Sequence, residues 1–364
     1  MRLFLLVLGL CVTSCATVRP EPAPMRGGYA VVMIGEGPSA PQIHGNRDEE
    51  QGLPLRPDTV MYAASLTKFT FAYLVMQLVD EGVVDLDTPI DRYLKKPLPE
   101  FKKYAELAGD ERWRKLTFRI LLSHTTGFAN FRFLEPDEKL RFHWEPGSRY
   151  GYSGEGINLA QFVLEEGLGL DVGVEMQRRI FDRFGMTRTS MTWRDDFADN
   201  LAQGYTRDGT LVPHHKRGSV RAAGSMDTTV EDYGRFVAAF MRGEGLSPEA
   251  RAEILKPQIP ITSRTHFPTL GDEPAPPELV RLKLASGLGV IVYDGPHGRV
   301  FFKGGHDDGT DNLLVCDEAA RRCFLGLGNT NRAQAVYMRH VRDALRLTDM
   351  PWAWQYNPLP PDAP

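Results

Sequence analysis

Cysteine is scarce in this chain, with four among 364 residues. Together with nine histidines, these cysteines show no metal-ligand spacing, so no metal site is expected. The adjacent His214-His215 is expected to be a surface pair. Basic blocks are missing too. Forty-three Lys and Arg against 47 Asp and Glu leave a net charge of −4, which argues against a nucleic-acid partner. No fixed-period repeat is present, which excludes solenoids and propeller arrays. What remains is ordinary globular composition, 42% hydrophobic and 25% charged. The length allows one large domain or two small ones, either with a substantial core.

The N-terminus carries an address. Arg2 gives a positive start, and Leu3 to Val12 is an apolar run too short to cross a bilayer. Small residues follow, as in a secretory signal. Val12-Thr13-Ser14-Cys15 resembles a bacterial lipobox, in which cleavage precedes the cysteine and Cys15 carries lipid. An ordinary signal peptide with a chance cysteine is the alternative. By resemblance to enterobacterial sorting, Ala16 after the cysteine points to the periplasmic side of the outer membrane. Residues 1–14 are thus expected as signal and 15–28 as a Pro-rich tether, with membrane contact through the N-terminal lipid. Cys316 and Cys323 flank a polar turn between two strand-like runs. In an oxidising compartment they are expected to pair, with two reduced, packed cysteines as the alternative.

Strand patterns gather at the two ends of the chain. Tyr29 to Ile34 and Gln42 to Gly45 read as strands at the start, and Ser286 to Tyr293, Val300 to Lys303, Asn312 to Cys316 and Cys323 to Gly328 near the end. Ser65 to Glu81 is the strongest helix, with a broad apolar stripe and Gly82 after it. Further helices are expected over Thr117 to Ser123, Glu155 to Gly167, Val172 to Phe184, Asp227 to Arg242 (capped by Asp227 or Thr228) and Arg332 to Leu345. Lys95 to Lys115 reads as a solvated excursion, and Lys256 to Pro277, with six prolines, as a surface loop. The expectation is an α+β domain over 29–347. One antiparallel sheet is built from both termini and flanked by helices, with a mostly helical insertion at approximately 85–225 and a cleft between the parts. The tail 348–364 is proline-rich and carries no pattern.

Three separated pieces could meet in that cleft. Ser65-Leu66-Thr67-Lys68 sets a hydroxyl and an amine on one helix face, where a lysine of lowered pKa can activate the serine. Pro146-Gly147 followed by Tyr152-Ser153-Gly154 projects a phenol, a second proton carrier or simply a core aromatic. Lys303-Gly304-Gly305-His306 ends a strand where glycines let a substrate lie against the edge. Together with Asp85-Leu86-Asp87-Thr88-Pro89-Ile90, Leu121 to Phe128 and Ala223-Gly224-Ser225-Met226, these pieces resemble serine β-lactamases and penicillin-recognising hydrolases, in the class C-like branch with its esterases and D-amino peptidases. The resemblance runs from about Tyr29 to Leu345.

It implies a β-lactamase/transpeptidase-like fold and acyl transfer on a small ester, amide or peptide. Ser65 would be the nucleophile, Lys68 and Tyr152 the acid and base, and the N–H groups of Ser65 and His306 the oxyanion donors. Lys303 would hold a carboxylate or sustain the local positive field. No cofactor is implied. Two departures stand out. The tyrosine motif usually ends in asparagine, here Gly154. The lysine triplet usually has a central hydroxyl, here Gly304. Both remove groups that grip a β-lactam or peptide. Three readings follow: an envelope esterase or D-alanyl peptidase, a class C-like β-lactamase, or a wall-peptide-binding module without turnover.

Overall fold

The structure is a computed structural model that describes residues 25–361 and 363. The signal-like Met1–Ser14, Cys15 and the tether up to residue 24 lie outside the described residues. The end of the expected tether belongs to the fold. Arg26 donates to the Gly209 carbonyl at 2.9 Å, and the first strand starts at Gly28.

The two ends of the chain do form one sheet. Its nine strands run, across the sheet, Leu53–Pro54, Gln42–Asp48, Gly28–Ile34, Arg322–Gly328, Thr310–Asp317, Gly298–Asp307, Ile291–Gly295, Ala285–Ser286 and Ile259–Pro260. All neighbours are antiparallel. The first strand pairs with the last, from Tyr29 opposite Gly328 to Ile34 opposite Cys323. Cys316 and Cys323 face each other across the last hairpin and form a disulfide.

Side chains alternate between the faces, as the strand repeat requires. Val32, Phe301, Leu314 and Leu325 join one buried cluster with Phe69, Phe236 and Phe240, which come from the helices Thr67–Asp80 and Val230–Arg242. Val31, Phe302, Leu313 and Phe324 join a second cluster with Tyr337, Val341 and Trp354 from the C-terminal segments. The parity has a functional consequence. Along Gly298–Asp307, residues 301, 303 and 305 face the first helix, while 302, 304 and 306 face the tail.

Every residue of Thr67–Asp80 from Thr67 to Leu78 is buried, so the helix is a central rod rather than a surface one. A tight 3₁₀ turn, Ala64–Leu66, precedes it, and Gly82 in the left-handed region ends it.

Several expectations are corrected. Asp227 and Thr228 form a short strand against Met61–Tyr62, and the cap of the following helix is Thr229, whose hydroxyl accepts from the Asp232 N–H. The strand expected over Ser286 to Tyr293 breaks at 287–290, where the chain turns against the central rod. Gly289 there has φ +73°, and a Cβ on it would lie 2.7 Å from that of Ala72. The excursion 95–115 is less solvated than its charge implies, because Leu98, Tyr104, Leu107 and Trp113 are buried under it. His214 turns its ring inward onto Asp227 at 3.2 Å, so it is no surface residue.

Candidate active site

Ser65 sits at the turn into the central rod. Ala64, immediately before it, holds φ +46°, a left-handed conformation that a side chain disfavours. Surrounding bonds keep the turn in place. Tyr233 donates to Leu66 O at 3.1 Å, Asn312 Nδ2 to Tyr62 O at 3.0 Å, and Thr67 Oγ1 to Ala64 O at 2.6 Å. One turn on, Lys68 Nζ lies 2.9 Å from Ser65 Oγ and 2.6 Å from Ala223 O.

Tyr152 precedes the helix Gly154–Phe162, whose cap is Ser153. Its ring lies 4.8 Å from Lys68 Nζ, and its hydroxyl 3.3 Å from Lys303 Nζ. Lys303 also donates to Gly304 O at 2.6 Å. The structure therefore brings Ser65, Lys68, Tyr152 and Lys303 together from three separate segments. Ser65, Tyr152 and Lys303, with Gly304, His306, Asn130, Phe131 and others, line a cleft of about 580 Å³.

The electrostatics follow from burial. Lys68 is 1% exposed and Lys303 3% exposed. Burial holds the Lys68 amine well below its ordinary value, and the nearby Lys303 charge adds to this. Burial alone brings Lys303 down to about 7. Tyr152 is pushed above the ordinary phenol range by burial, with a hydrogen bond to Ser65 pulling the other way. The site thus holds an amine of lowered proton affinity beside the serine and a protonated phenol beside a lysine that titrates near neutrality.

The strand carrying Lys303 lies tight on the serine turn. A Cβ on Gly305 would fall 2.5 Å from Ala63 O and 3.2 Å from Leu66 N. Only glycine permits this approach, which draws the backbone of His306 toward Ser65. The two departures from the motifs also acquire physical reasons. A Cβ on Gly154 would lie 2.5 Å from the Phe131 ring, and one on Gly304 would lie 2.4 Å from Gln355 Nε2. Other side chains already occupy both places.

Several neighbours escaped the sequence reading. His124, at φ +57°, lies under Tyr152 with ring centres 4.4 Å apart. The Ser153 backbone holds its Nδ1, and burial and then the two lysines keep it neutral. His266, from the loop 256–277, packs edge-on to Tyr152 at 4.8 Å and stacks on Trp354 at 4.4 Å. The tail supplies that tryptophan and also Gln355, whose amide donates to His306 Nε2 at 2.8 Å. The other ring nitrogen of His306 lies 2.7 Å from the buried Asp311. No periodicity marks the loop or the tail, and only His124, inside a matched motif, carried a signal.

A buried lysine of lowered proton affinity touching a serine, a tyrosine within reach of both and a glycine-lined strand edge define a serine hydrolase of the β-lactamase type. Comparison agrees: the Beta-lactamase family model matches residues 16–347, and the chain belongs to that family. The fold is shared with D-alanine carboxypeptidase AmpC from Burkholderia cenocepacia (TM-score 0.66, 21% identity, 84% of this chain and 89% of that one). It is shared too with a penicillin binding protein from Bacillus halodurans (TM-score 0.68, 20% identity, 88% and 96%). In sequence, the chain is similar to Esterase EstB of Burkholderia gladioli, 37% identical over 129 residues, 35% of this chain and 29% of that protein. It is also similar to Lovastatin esterase of Penicillium rubens, 29% identical over 161 residues, 37% and 40%. These alignments span less than half the length of either relative.

Proposed function

We propose that this chain hydrolyses esters through an acyl-enzyme on Ser65. The observation that carries the reading is the contact of 2.9 Å between the buried Lys68 amine, its proton affinity lowered by that burial, and Ser65 Oγ. Lys68 takes the Ser65 proton as the oxygen attacks the ester carbonyl. The N–H groups of Ser65 and His306 receive the oxyanion, which the close approach at Gly305 supports. As the tetrahedral adduct collapses, Tyr152 protonates the departing alkoxide and regains a proton from Lys68. Water then attacks the acyl-enzyme, giving one proton to the same pair, and the acid leaves as Ser65 is reprotonated. Lys303, beside Tyr152, adds positive charge to the site while it is protonated. An ester is favoured over an amide because Gly154 and Gly304 leave no side chain to grip a peptide or a β-lactam.

The test is a panel of short 4-nitrophenyl esters, D-alanyl-D-alanine peptides and nitrocefin, with wild type and Ser65→Ala side by side. Ester turnover that falls at least 10³-fold in Ser65→Ala is expected, with little on the other two substrates. Efficient peptide or nitrocefin cleavage would move the assignment to a D-alanyl peptidase or a β-lactamase. Absence of all turnover with substrate still bound would favour a binding module.

A further inference from the structure

Eight large apolar side chains are exposed among the described residues, and three of them stand on the rim of this one cleft. They are Phe133 at 63%, Leu134 at 60% and Phe267 at 41% exposure. Phe133 and Leu134 are adjacent in sequence, and Phe267 joins them from a segment more than a hundred residues away. Behind them Phe131 stacks on Phe133, with centroids 5.2 Å apart and planes 11° apart. Phe267 meets the Tyr152 ring edge-on at 5.7 Å, so the apolar rim is continuous with the reactive centre. Gly154 belongs to the same design. Its missing side chain leaves the place the Phe131 ring fills. An amide-bearing residue there would have displaced an aromatic wall.

The cleft therefore has two ends. Its floor holds Ser65, Tyr152 and Lys303, suited to a polar carbonyl. Its mouth is aromatic and aliphatic and open to water. Exposed apolar surface is costly to keep without an occupant, and a concave one beside a nucleophile fits a ligand. We infer that the substrate is an ester carrying a bulky apolar group, aromatic or aliphatic, seated on Phe131, Phe133, Leu134 and Phe267 while its carbonyl meets Ser65. This rests on the ester-hydrolase reading and adds the substrate class.

The experiment compares kcat/KM for 4-nitrophenyl octanoate and acetate, which vary the acyl side, and for octyl and ethyl acetate, which vary the alcohol. The ratios are taken below the micelle onset, and the octanoate series is then carried above it. One pair or the other is expected to favour the long chain at least tenfold. Phe133→Ser with Leu134→Ser should bring that ratio to within about threefold of unity. Val174→Ser, on exposed apolar surface away from the cleft, should leave it alone. Both rim side chains are mostly exposed, so the double variant keeps its core. Binding of the octanoate and acetate esters to Ser65→Ala, read by calorimetry, gives a second measure that needs no chemistry. Ser65-dependent turnover with no chain-length preference overturns the apolar site and leaves the ester reading standing. No turnover, but tighter octanoate binding lost in the rim variant, overturns the ester reading and leaves the apolar site. Neither turnover nor binding overturns both. A rate that rises only above the micelle onset assigns the rim to a lipid interface and overturns the proposal. So does a dimer that the rim substitutions dissolve without changing the ratio.

Discussion

Two lysines in one buried site cannot both keep a proton cheaply, and their coupling is testable. Lys68 must be neutral to act on Ser65. Its affinity for a proton is lowered first by burial and then by the Lys303 charge. Removing that charge lets Lys68 hold its proton more strongly. In Lys303→Met the acid limb of the kcat/KM profile should therefore move to higher pH. The profile against a short 4-nitrophenyl ester measures it, and an unmoved limb would mean that the two amines are not coupled. Gly154 makes the opposite kind of prediction. Gly154→Asn forces the Phe131 ring aside and should cost about 1–3 kcal/mol in urea unfolding. Pairing it with Phe131→Ala should recover part of that loss.

At the scale of elements, the tail is the unexpected contributor. Trp354 is fully buried, stacks on His266 and accepts the His266 N–H at its own carbonyl at 2.9 Å. Gln355 holds one nitrogen of His306 while Asp311 faces the other. The segment after residue 347, beyond the part that matches the family model, thus braces two residues of the cleft. Trp354→Ala should lower stability by about 3–5 kcal/mol in chemical unfolding. Gln355→Ala should cost little stability. By loosening the strand end at His306, it should lower kcat more than it raises KM, by roughly tenfold. An equal rise in KM with unchanged kcat would assign Gln355 to substrate binding instead. The disulfide is a smaller element. It closes a short hairpin already tied by strand pairing, so Cys316→Ser with Cys323→Ser should cost about 2 kcal/mol or less and spare turnover.

Across the whole molecule, the buried cations set how stability depends on pH. Lys68, Lys303, His124 and His266 all bind protons less well folded than unfolded, each chiefly through burial. Wherever the unfolded chain binds more protons, stability rises with pH. For Lys303 the window runs from its folded value of about 7 to the ordinary 10.5. Its destabilising effect is full below that window and gone above it. The urea midpoint of the wild type should therefore climb between pH 7 and 10, and that of Lys303→Met should climb less, so that the two converge. Parallel curves would show that Lys303 keeps its charge when folded. The same burial that costs stability lowers the proton affinity of the Lys68 amine beside Ser65, which links the fold's weakness to its chemistry.

Local pattern determined a good deal. The apolar runs at Tyr29 to Ile34, Val300 to Lys303, Asn312 to Cys316 and Cys323 to Gly328, the apolar rod after Ser65 and the motif spacings are short-range signals, and each run falls within its element in the structure. The positions of Ser65, Lys68, Tyr152 and Lys303 were legible for the same reason, because each lies in a motif a few residues long. Tertiary structure alone decided what surrounds them. Phe131, Phe267, Trp354 and Gln355 lie in segments without period, and only close packing brings them within ångströms of the motif residues. It also decided what the two glycines mean. Read along the chain, Gly154 and Gly304 are lost side chains. In space they are places already taken, because a Cβ at either would overlap atoms that arrive from elsewhere in the sequence.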